Sequence, residues 1–204
     1  MCALARNDIM NESVVVFMRK LLAILLCLSL PILPVQADET KYVALTFDDG
    51  PSGKYTRALL DGLYDRGVQA TFLLCGYRMK DYPDLTRRIY EEGHEIGYHG
   101  YLHEVKDTYE EENALMDKVD AIFRSLTGKR PVGVRMPDGI LHDFHKQLWL
   151  DRGCIYSSNW RNNDGPFLLK IDGKEIPIVE LPKDGIVDDT SYDMYTLQHP
   201  EHYY

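Results

Sequence analysis

Short apolar runs and segments with helical periodicity alternate along the chain from residue 42 to residue 157. The runs are rich in β-branched and aromatic residues and predict strands, whereas apolar positions three or four residues apart predict amphipathic helices. Strands are predicted at 42–47, 68–74, 94–98, 132–136 and 155–157, and helices at 54–66, from Pro83 to Gly93, from Asp107 to Gly128 and at 143–152. Repeated strand–helix units imply parallel strands, so the pattern predicts an α/β fold.

Local signals refine two parts of this pattern. Asp107 to Glu110 is predicted to be a capping box at the start of the longest helix. The buried stripe of that helix is predicted to comprise Leu115, Val119, Ile122, Phe123 and Leu126. Lys174, between Gly173 and Glu175, is predicted to lie at the tip of a hairpin over the functional site, where it would influence the choice of substrate.

Two adjacent carboxylates end the first apolar run, which is predicted to be a buried strand. Asp48 and Asp49 precede Gly50-Pro51, a turn signal, so both acids are expected where a strand ends. His99 and His103 follow the third predicted strand, and a spacing of four would place both imidazoles on one face of a helical turn. Taken alone, the acid pair has a solvated turn as its alternative explanation, and the histidine pair has surface histidines.

The acid pair and the histidine pair together favour a metal site over these alternatives. One carboxylate, Asp49, and the two histidines would form a metal site with open positions. This ligand set suits Zn²⁺ and, less exclusively, Co²⁺, Fe²⁺ or Mn²⁺. The neighbouring Asp48 would then be available as a base, because successive side chains of a strand alternate in direction.

Three motifs resemble those of the polysaccharide deacetylases, the family that shares the NodB homology domain and is also called carbohydrate esterase family 4. Thr-Phe-Asp-Asp-Gly stands at 46–50, His-x-x-x-His at 99–103 and Arg-x-Pro-x-Gly at 135–139, in the family's order. The resemblance covers residues 41–160 well. It implies a distorted, incomplete (β/α)7-type barrel with the functional residues at the carboxyl ends of the strands.

The resemblance also implies a role for each motif residue. A divalent metal, with Zn²⁺ preferred over Co²⁺ and other ions, would be held by Asp49, His99 and His103. Asp48 would be the base that takes the proton of an acidified water, and Arg135 would hold and orient this base. The backbone N–H of Asp138 would help to stabilise the oxyanion, at a position where the family usually has Tyr.

The chain departs from the family in its last two motifs. Asn159-Trp160 stands where the fourth motif usually ends Asp-Trp; Asn can hydrogen-bond a guanidinium but cannot neutralise it. Trp160 would either wall the pocket or pack in the core. Leu197-Gln198-His199 fits the fifth motif, whose histidine would protonate the leaving amine. Either His199 is this general acid, or the chain is truncated and the true motif is missing.

The first 37 residues resemble a targeting segment. Met18-Arg19-Lys20 is a short basic region, Leu21 to Leu30 is an apolar region too short to span a bilayer comfortably, and Val35-Gln36-Ala37 is a cleavage signal. We expect translation to start at Met18, cleavage after Ala37, and secretion of a single catalytic domain at 38–204. An uncleaved membrane anchor is the alternative.

Charge and cysteine content exclude several classes of function. The net charge is −9, and removal of residues 1–37, which carry three basic and two acidic side chains, brings it to about −10. Such an acidic protein is a poor ligand for nucleic acids or anionic membranes. Cys75 and Cys154 remain after processing. Two independent buried thiols are favoured over a disulfide between them, and the oligomeric state is left open.

Three functions follow from these observations. The leading hypothesis is a secreted, metal-dependent hydrolase that removes N-acetyl groups from glycans containing N-acetylglucosamine, such as peptidoglycan or chitin-type oligosaccharides. The second is a hydrolase of cyclic amides or imides with the same fold, against which the leader sequence argues. The third is a noncatalytic glycan-binding relic, suggested by Asn159 and the short C-terminal segment.

Overall fold

One mixed β-sheet organises the part of the chain that the structure describes. The structure is a computed structural model, and it describes residues 43–160 and 165–183. The seven strands of this part are β1 Thr46–Asp48, β2 Thr71–Leu74, β3 Glu95–Tyr98, β4 Gly133–Val134, β5 Tyr156–Ser157, β6 Phe167–Ile171 and β7 Lys174–Glu180. They lie in the order β1-β2-β3-β4-β5-β7-β6.

Five helices and one 3₁₀ turn accompany these strands within the described ranges. The helices are α1 Thr56–Asp65, α2 Gly76–Asp81, α3 Pro83–Glu91, α4 Tyr109–Thr127 and α5 His145–Asp151, and the 3₁₀ turn is Pro137–Gly139. The short helix α2 was not predicted, because its six residues are too few to show a period. None of the helices in this part of the chain is both long and apolar enough to cross a bilayer.

The pairing of the strands confirms the predicted fold class. All neighbouring pairs are parallel except β6 and β7, which form an antiparallel hairpin. The outer strands β1 and β6 do not pair with each other in the described residues, so this part of the sheet is not closed. An open, mostly parallel sheet with helices between its strands agrees with the expected incomplete (β/α) barrel.

Apolar side chains from both the strands and the helices form the core. The fully buried residues include Leu74, Val119, Leu148, Trp149 and Ile178. Burial of a side chain of this size contributes roughly 1.5–3 kcal/mol. The stripe predicted on α4 is confirmed: three of its five members are buried, and Ile122 and Leu126 pack against the core while partly exposed.

The first strand is shorter and more exposed than predicted. Only Thr46–Asp48 pairs with β2, and Val43 and Leu45 are 85% and 41% exposed. Within the described residues β1 is an outer strand with one neighbour, so its apolar side chains lack the cover of a second strand. An apolar run alone does not distinguish an outer strand from a central one.

The N-terminal cap of α4 lies one residue later than predicted. Thr108 is the N-cap residue, with an extended backbone at φ −125° and ψ 153°. Its Oγ1 accepts a hydrogen bond from the backbone N–H of Glu111 at 3.3 Å and donates to the Glu111 carboxylate at 3.0 Å. The cap therefore uses Thr108 and Glu111, not Asp107 and Glu110.

The predicted hairpin is present, but its turn lies away from the carboxyl edge of the sheet. Asp172-Gly173 joins β6 to β7, and Lys174 pairs with Ile171. Because β7 runs parallel to β5, Lys174 begins at the amino-terminal edge and Glu180 ends at the carboxyl edge, about 20 Å away for a strand of this length. The prediction that Lys174 lies over the functional site is wrong.

The two cysteines are separate, as predicted. Cys75 follows β2 and Cys154 precedes β5, and both are buried and free. Burial raises the pKa of the Cys75 thiol to about 12 and that of Cys154 to about 11. Both thiols therefore remain protonated at neutral pH. The predicted leader, with Met18 and Ala37, lies outside the described residues.

A buried carboxylate on α4 holds both ends of the loop between β3 and α4. Glu112 accepts a hydrogen bond from the Tyr98 hydroxyl at 2.7 Å and from the backbone N–H of Lys106 at 2.8 Å. Burial raises the pKa of Glu112, although the two hydrogen bonds act in the opposite direction. Glu112 thereby fixes the loop that carries His99 and His103.

Two replacements of Glu112 distinguish the effect of its hydrogen bonds on stability from the effect of its charge. Glu112→Gln can keep both contacts, whereas Glu112→Ala leaves the Lys106 N–H and the Tyr98 hydroxyl unsatisfied and will lower the free energy of unfolding by about 1–3 kcal/mol. A raised folded-state pKa means that the wild type loses stability as the pH rises through that pKa. The free energy of unfolding of Glu112→Gln will therefore increase relative to that of the wild type as the pH rises. Urea unfolding at several pH values measures this difference.

Candidate functional site

The candidate residues meet at the carboxyl edge of the sheet. Asp49 follows β1, His99 and His103 lie in the loop after β3, and Arg135 directly follows β4. Asn159 and Trp160 come after β5. Because the carboxyl ends of parallel strands share one edge, residues distant in the sequence become neighbours here.

Asp49 and the two histidines form a cluster suited to a metal ion. The Asp49 Oδ1 atom lies 3.3 Å from the Nε2 atom of His99 and 3.3 Å from that of His103. The three candidate ligand atoms all lie within 4.8 Å of one another. One carboxylate oxygen and two imidazole nitrogens at this separation match a divalent cation with open coordination positions.

The ring of His99 is held in the tautomer that a metal ligand requires. Its Nδ1 atom lies 2.7 Å from the carbonyl oxygen of Arg135, which can only accept a hydrogen bond. Nδ1 therefore carries the proton, and the lone pair of Nε2 faces Asp49 in the neutral ring. A cation is needed between these two acceptors. The proximity of His99, and then of His103 and Arg78, lowers the pKa of Asp49, against the effect of burial.

The two histidines converge through a loop, not through a helical turn as predicted. The backbone of Gly100 and His103 is left-handed, with φ of 74° and 60°. A Cβ atom added at Gly100 would lie 3.0 Å from the carbonyl oxygen of Glu104 and 3.1 Å from Pro137, so the loop is also too tight for a side chain there. The spacing of four residues identified the pair but not its backbone conformation.

Left-handed backbone conformations cluster at this site. Among the described residues, four that are not glycine have positive φ: Asp49 at 71°, His103 at 60°, Asp138 at 55° and Asp172 at 49°. The first three are candidate site residues, and the fourth lies in the β6–β7 turn. Such conformations are costly outside glycine and are retained where the surrounding structure and function require them.

Arg135 is buried and connects the strands around the site. Its Nη1 atom donates to Asp48 Oδ1 at 2.7 Å and to Thr46 Oγ1 at 3.0 Å. Its Nε and Nη2 atoms donate to the carbonyl oxygen and hydroxyl of Ser158 at 2.9 and 2.7 Å. The predicted neighbour of the base is thus in contact with Asp48, and a surface position for Arg135 is excluded.

Asn159 does not contact the guanidinium in the way that the sequence suggested. Its Oδ1 atom accepts the backbone N–H of Met136 at 2.7 Å, and its buried Nδ2 atom has no hydrogen-bond partner among the described residues. Trp160 is 36% exposed. Its ring lies edge-on to Phe167, with 6.5 Å between centroids, and 5.4 Å from Lys146 Nζ.

Sequence reasoning missed several polar residues that support the site. Thr46 and Ser158 contact Arg135, and the buried Glu180 accepts hydrogen bonds from the segment after β5. Glu180 directly follows the apolar run Ile176–Val179. This position at the end of a strand is the signal by which the sequence could have indicated a role for Glu180. Asp138 has an exposed side chain next to the site loop. His199 lies outside the described residues.

Comparisons with known proteins agree with the motifs. A family model described as Polysaccharide deacetylase matches residues 36–151, more than half of the chain. A peptidoglycan-N-acetylglucosamine deacetylase of Bacillus cereus is 37% identical over 139 residues, which are 63% of this chain and 50% of that protein. The chain spans half or less of the length of the curated relatives that it matches.

Solved structures match over a similar part of the chain. A family 4 carbohydrate esterase from Streptomyces lividans, in complex with acetate, has a TM-score of 0.54 at 27% identity, over 58% of this chain and 62% of that one. The peptidoglycan deacetylase PdaC from Bacillus subtilis has a TM-score of 0.51 at 33% identity, over 53% and 55%. The family model spans all three motifs, and the fold agrees: the chain belongs to the polysaccharide deacetylase family.

Proposed function

We propose that this protein is a secreted, metal-dependent hydrolase that removes N-acetyl groups from glycans containing N-acetylglucosamine. The observation that carries the proposal is the Asp48–Arg135 ion pair next to the cluster of Asp49, His99 and His103. In the reaction, water adds to the acetyl carbonyl carbon, the C–N bond breaks, and acetate and a free amine are released. The name of the Bacillus cereus relative supports peptidoglycan as the polymer, with chitin-type oligosaccharides as the second candidate.

The cofactor that fits the ligand set is a divalent cation, with Zn²⁺ first and Co²⁺ next. When bound, it supplies Lewis acidity that polarises an acetyl carbonyl and acidifies water. The chain's own contribution is the arrangement of its ligands. Asp49 stands between the two imidazoles, and the carbonyl of Arg135 orients the ring of His99.

The two adjacent acids have separate tasks in this proposal. The left-handed turn at Asp49 directs its carboxylate to the histidines, whereas Asp48 faces Arg135. Arg135 contacts Oδ1 of Asp48, which leaves Oδ2 to accept the proton of the attacking water. Thr46 and Ser158 fix the guanidinium and therefore the direction of this base.

The remaining steps use groups next to this pair. The backbone N–H of Asp138 is assigned to the developing oxyanion, and the exposed side chain of this residue is free to turn its carboxylate towards solvent. Protonation of the leaving amine is assigned to His199, a prediction that concerns residues outside the described part. Trp160 is assigned to substrate contact through its exposed face.

Exposed apolar side chains around the site support a glycan as the substrate. Leu102, Ile140, Trp160 and Leu181 are between 36% and 60% exposed, and each follows the carboxyl end of a strand. These positions lie on the same edge of the sheet as the cluster of Asp49, His99 and His103. Apolar surfaces next to polar groups suit the C–H faces of pyranose rings, and the acidic chain disfavours nucleic acid as a partner.

One observation favours a second candidate, the noncatalytic relic. Within residues 43–160 and 165–183, the buried amide nitrogen of Asn159 has no hydrogen-bond partner, at the position where the family usually has a carboxylate. An unsatisfied buried donor costs about 1–3 kcal/mol, and the carboxylate usual in the family is absent.

Acetate release will require both the metal and Asp48. Zn²⁺- or Co²⁺-loaded protein will release acetate from N-acetylglucosamine oligomers or peptidoglycan, chelation will abolish the release, and Asp48→Asn will lower kcat by about 10²–10⁴-fold because the base is lost. Metal content, measured in parallel, will be unchanged in the variant because Asp49, His99 and His103 are retained. Ring opening of a cyclic imide without acetate release would contradict the proposal.

Replacement of Asn159 by Asp distinguishes the enzyme from the relic. Asn159→Asp keeps the acceptor for the Met136 N–H and removes the unsatisfied donor. We expect the wild type to be active and the variant to remain within about threefold of it in kcat, because Arg135 is already held by Ser158 and Asp48. Activity that arises only in the variant would support the relic.

Export will remove the predicted leader. Expression of the full chain in a bacterial host with a Sec pathway will yield an extracellular or envelope-bound product that begins at Asp38, because cleavage signals of this type are cut after the last small residue. Mass spectrometry of the N-terminal peptide measures this directly. An intact N-terminus on a membrane-associated product would instead establish the uncleaved anchor.

A further inference from the structure

Glu180 is a fully buried carboxylate outside the three family motifs. It ends β7 beside Ser157 of β5, with which it pairs in the sheet. Its Oε1 atom accepts the backbone N–H groups of Asn159 at 2.6 Å and Trp160 at 2.7 Å, and Oε2 accepts the hydroxyl of Ser157. Three donors from one short segment therefore converge on this carboxylate.

The segment held by Glu180 carries the groups that hold Arg135. Ser158 lies within it and receives two hydrogen bonds from the guanidinium. The side chain of Asn159 accepts the N–H of Met136, the residue after Arg135. The guanidinium in turn contacts Asp48. Glu180 is thus connected to the proposed base through the backbone of residues 157–160 and the hydrogen bonds of Arg135.

Asn159 stands where the family usually has Asp, and this difference makes the connection from Glu180 to Arg135 important. The side chain of Asn159 is engaged by a backbone group, so among the described residues it is Ser158 that Arg135 contacts on this side. The carbonyl of Ser158 is a backbone atom, and its direction depends on the path of residues 157–160. The three hydrogen bonds to Glu180 hold that path, together with backbone hydrogen bonds from the Ser158 N–H to Val134 and from the Leu181 N–H to Ser157.

We propose that Glu180 is a positioning residue for the deacetylation reaction, which fixes residues 157–160 and, through Ser158 and Arg135, the direction of the Asp48 carboxylate. Its effect on the rate rests on the function proposed above. Misplacement of a reacting group by about 1 Å can cost up to about 10²-fold in rate. This positioning depends on the length and the acceptor atoms of the Glu180 side chain more than on its charge.

Four variants separate positioning from stability and from charge. Glu180→Ala removes all three acceptor contacts. Glu180→Gln retains the two contacts to backbone N–H groups through its Oε1 and reverses the third, in which its amide donates to the Ser157 hydroxyl. Glu180→Asp keeps the charge but shortens the side chain by one methylene. Ile178→Ala, two residues earlier on β7 and fully buried, is the matched control for loss of core packing on the same strand.

We expect kcat for acetate release to follow the acceptor geometry. Glu180→Gln will stay within about threefold of the wild type, whereas Glu180→Asp and Glu180→Ala will lose on the order of 10- to 100-fold in kcat with KM and bound metal unchanged. Ile178→Ala will lose stability but keep kcat per folded molecule. If Glu180→Asp is as active as Glu180→Gln, or if Ile178→Ala loses as much kcat as Glu180→Asp, the proposal is overturned.

A nuclear magnetic resonance measurement tests the same inference without turnover. The Nε–H of Arg135 donates to the Ser158 carbonyl at 2.9 Å in the protein interior, so its signal should exchange slowly with solvent. Glu180→Asp will shift this signal and accelerate its exchange, whereas Ile178→Ala and Glu180→Gln will leave it close to the wild type. An unchanged signal in Glu180→Asp would overturn the positioning role. Absence of wild-type acetate release would overturn only the proposed function.

Discussion

The burial of the Arg135 guanidinium is the constraint on which the site depends. A charged group inside a protein must be paired and hydrogen-bonded, because its desolvation is otherwise too costly. Arg135 meets this requirement with Thr46 and Asp48 of β1 and with Ser158 after β5. Its own carbonyl accepts the Nδ1–H of His99 after β3. One residue thereby ties the proposed base to a proposed metal ligand.

Two buried carboxylates support the two sides of this arrangement. Glu112 accepts hydrogen bonds at both ends of the loop that carries His99 and His103. Glu180 does the same for residues 157–160, which hold Arg135. In both cases a carboxylate accepts hydrogen bonds from backbone N–H groups of a segment that lies outside the strands. Preorganisation of the site therefore comes from acids that do not themselves belong to the cluster of Asp49, His99 and His103.

Irregular backbone is concentrated where the chemistry is proposed. Asp49, His103 and Asp138 adopt left-handed conformations, whereas the strands β1, β3 and β4 that precede them are regular. The regular elements bury the apolar core and set the positions of the loops, and the loops then aim individual side chains. This division agrees with membership of the polysaccharide deacetylase family, whose motifs at 46–50, 99–103 and 135–139 all lie at strand ends.

The sequence by itself determined the types of element, the parallel α/β class and the motif residues, because hydrophobic period and turn chemistry are local properties that a single chain displays. It also indicated the buried stripe of α4 and the two separate thiols. Only the tertiary structure decided the loop path between His99 and His103, the exposed position of β1, the direction of the β6–β7 hairpin and the partners of Asn159 and Glu180. These depend on strand order and register between segments far apart in the chain, which no local pattern encodes.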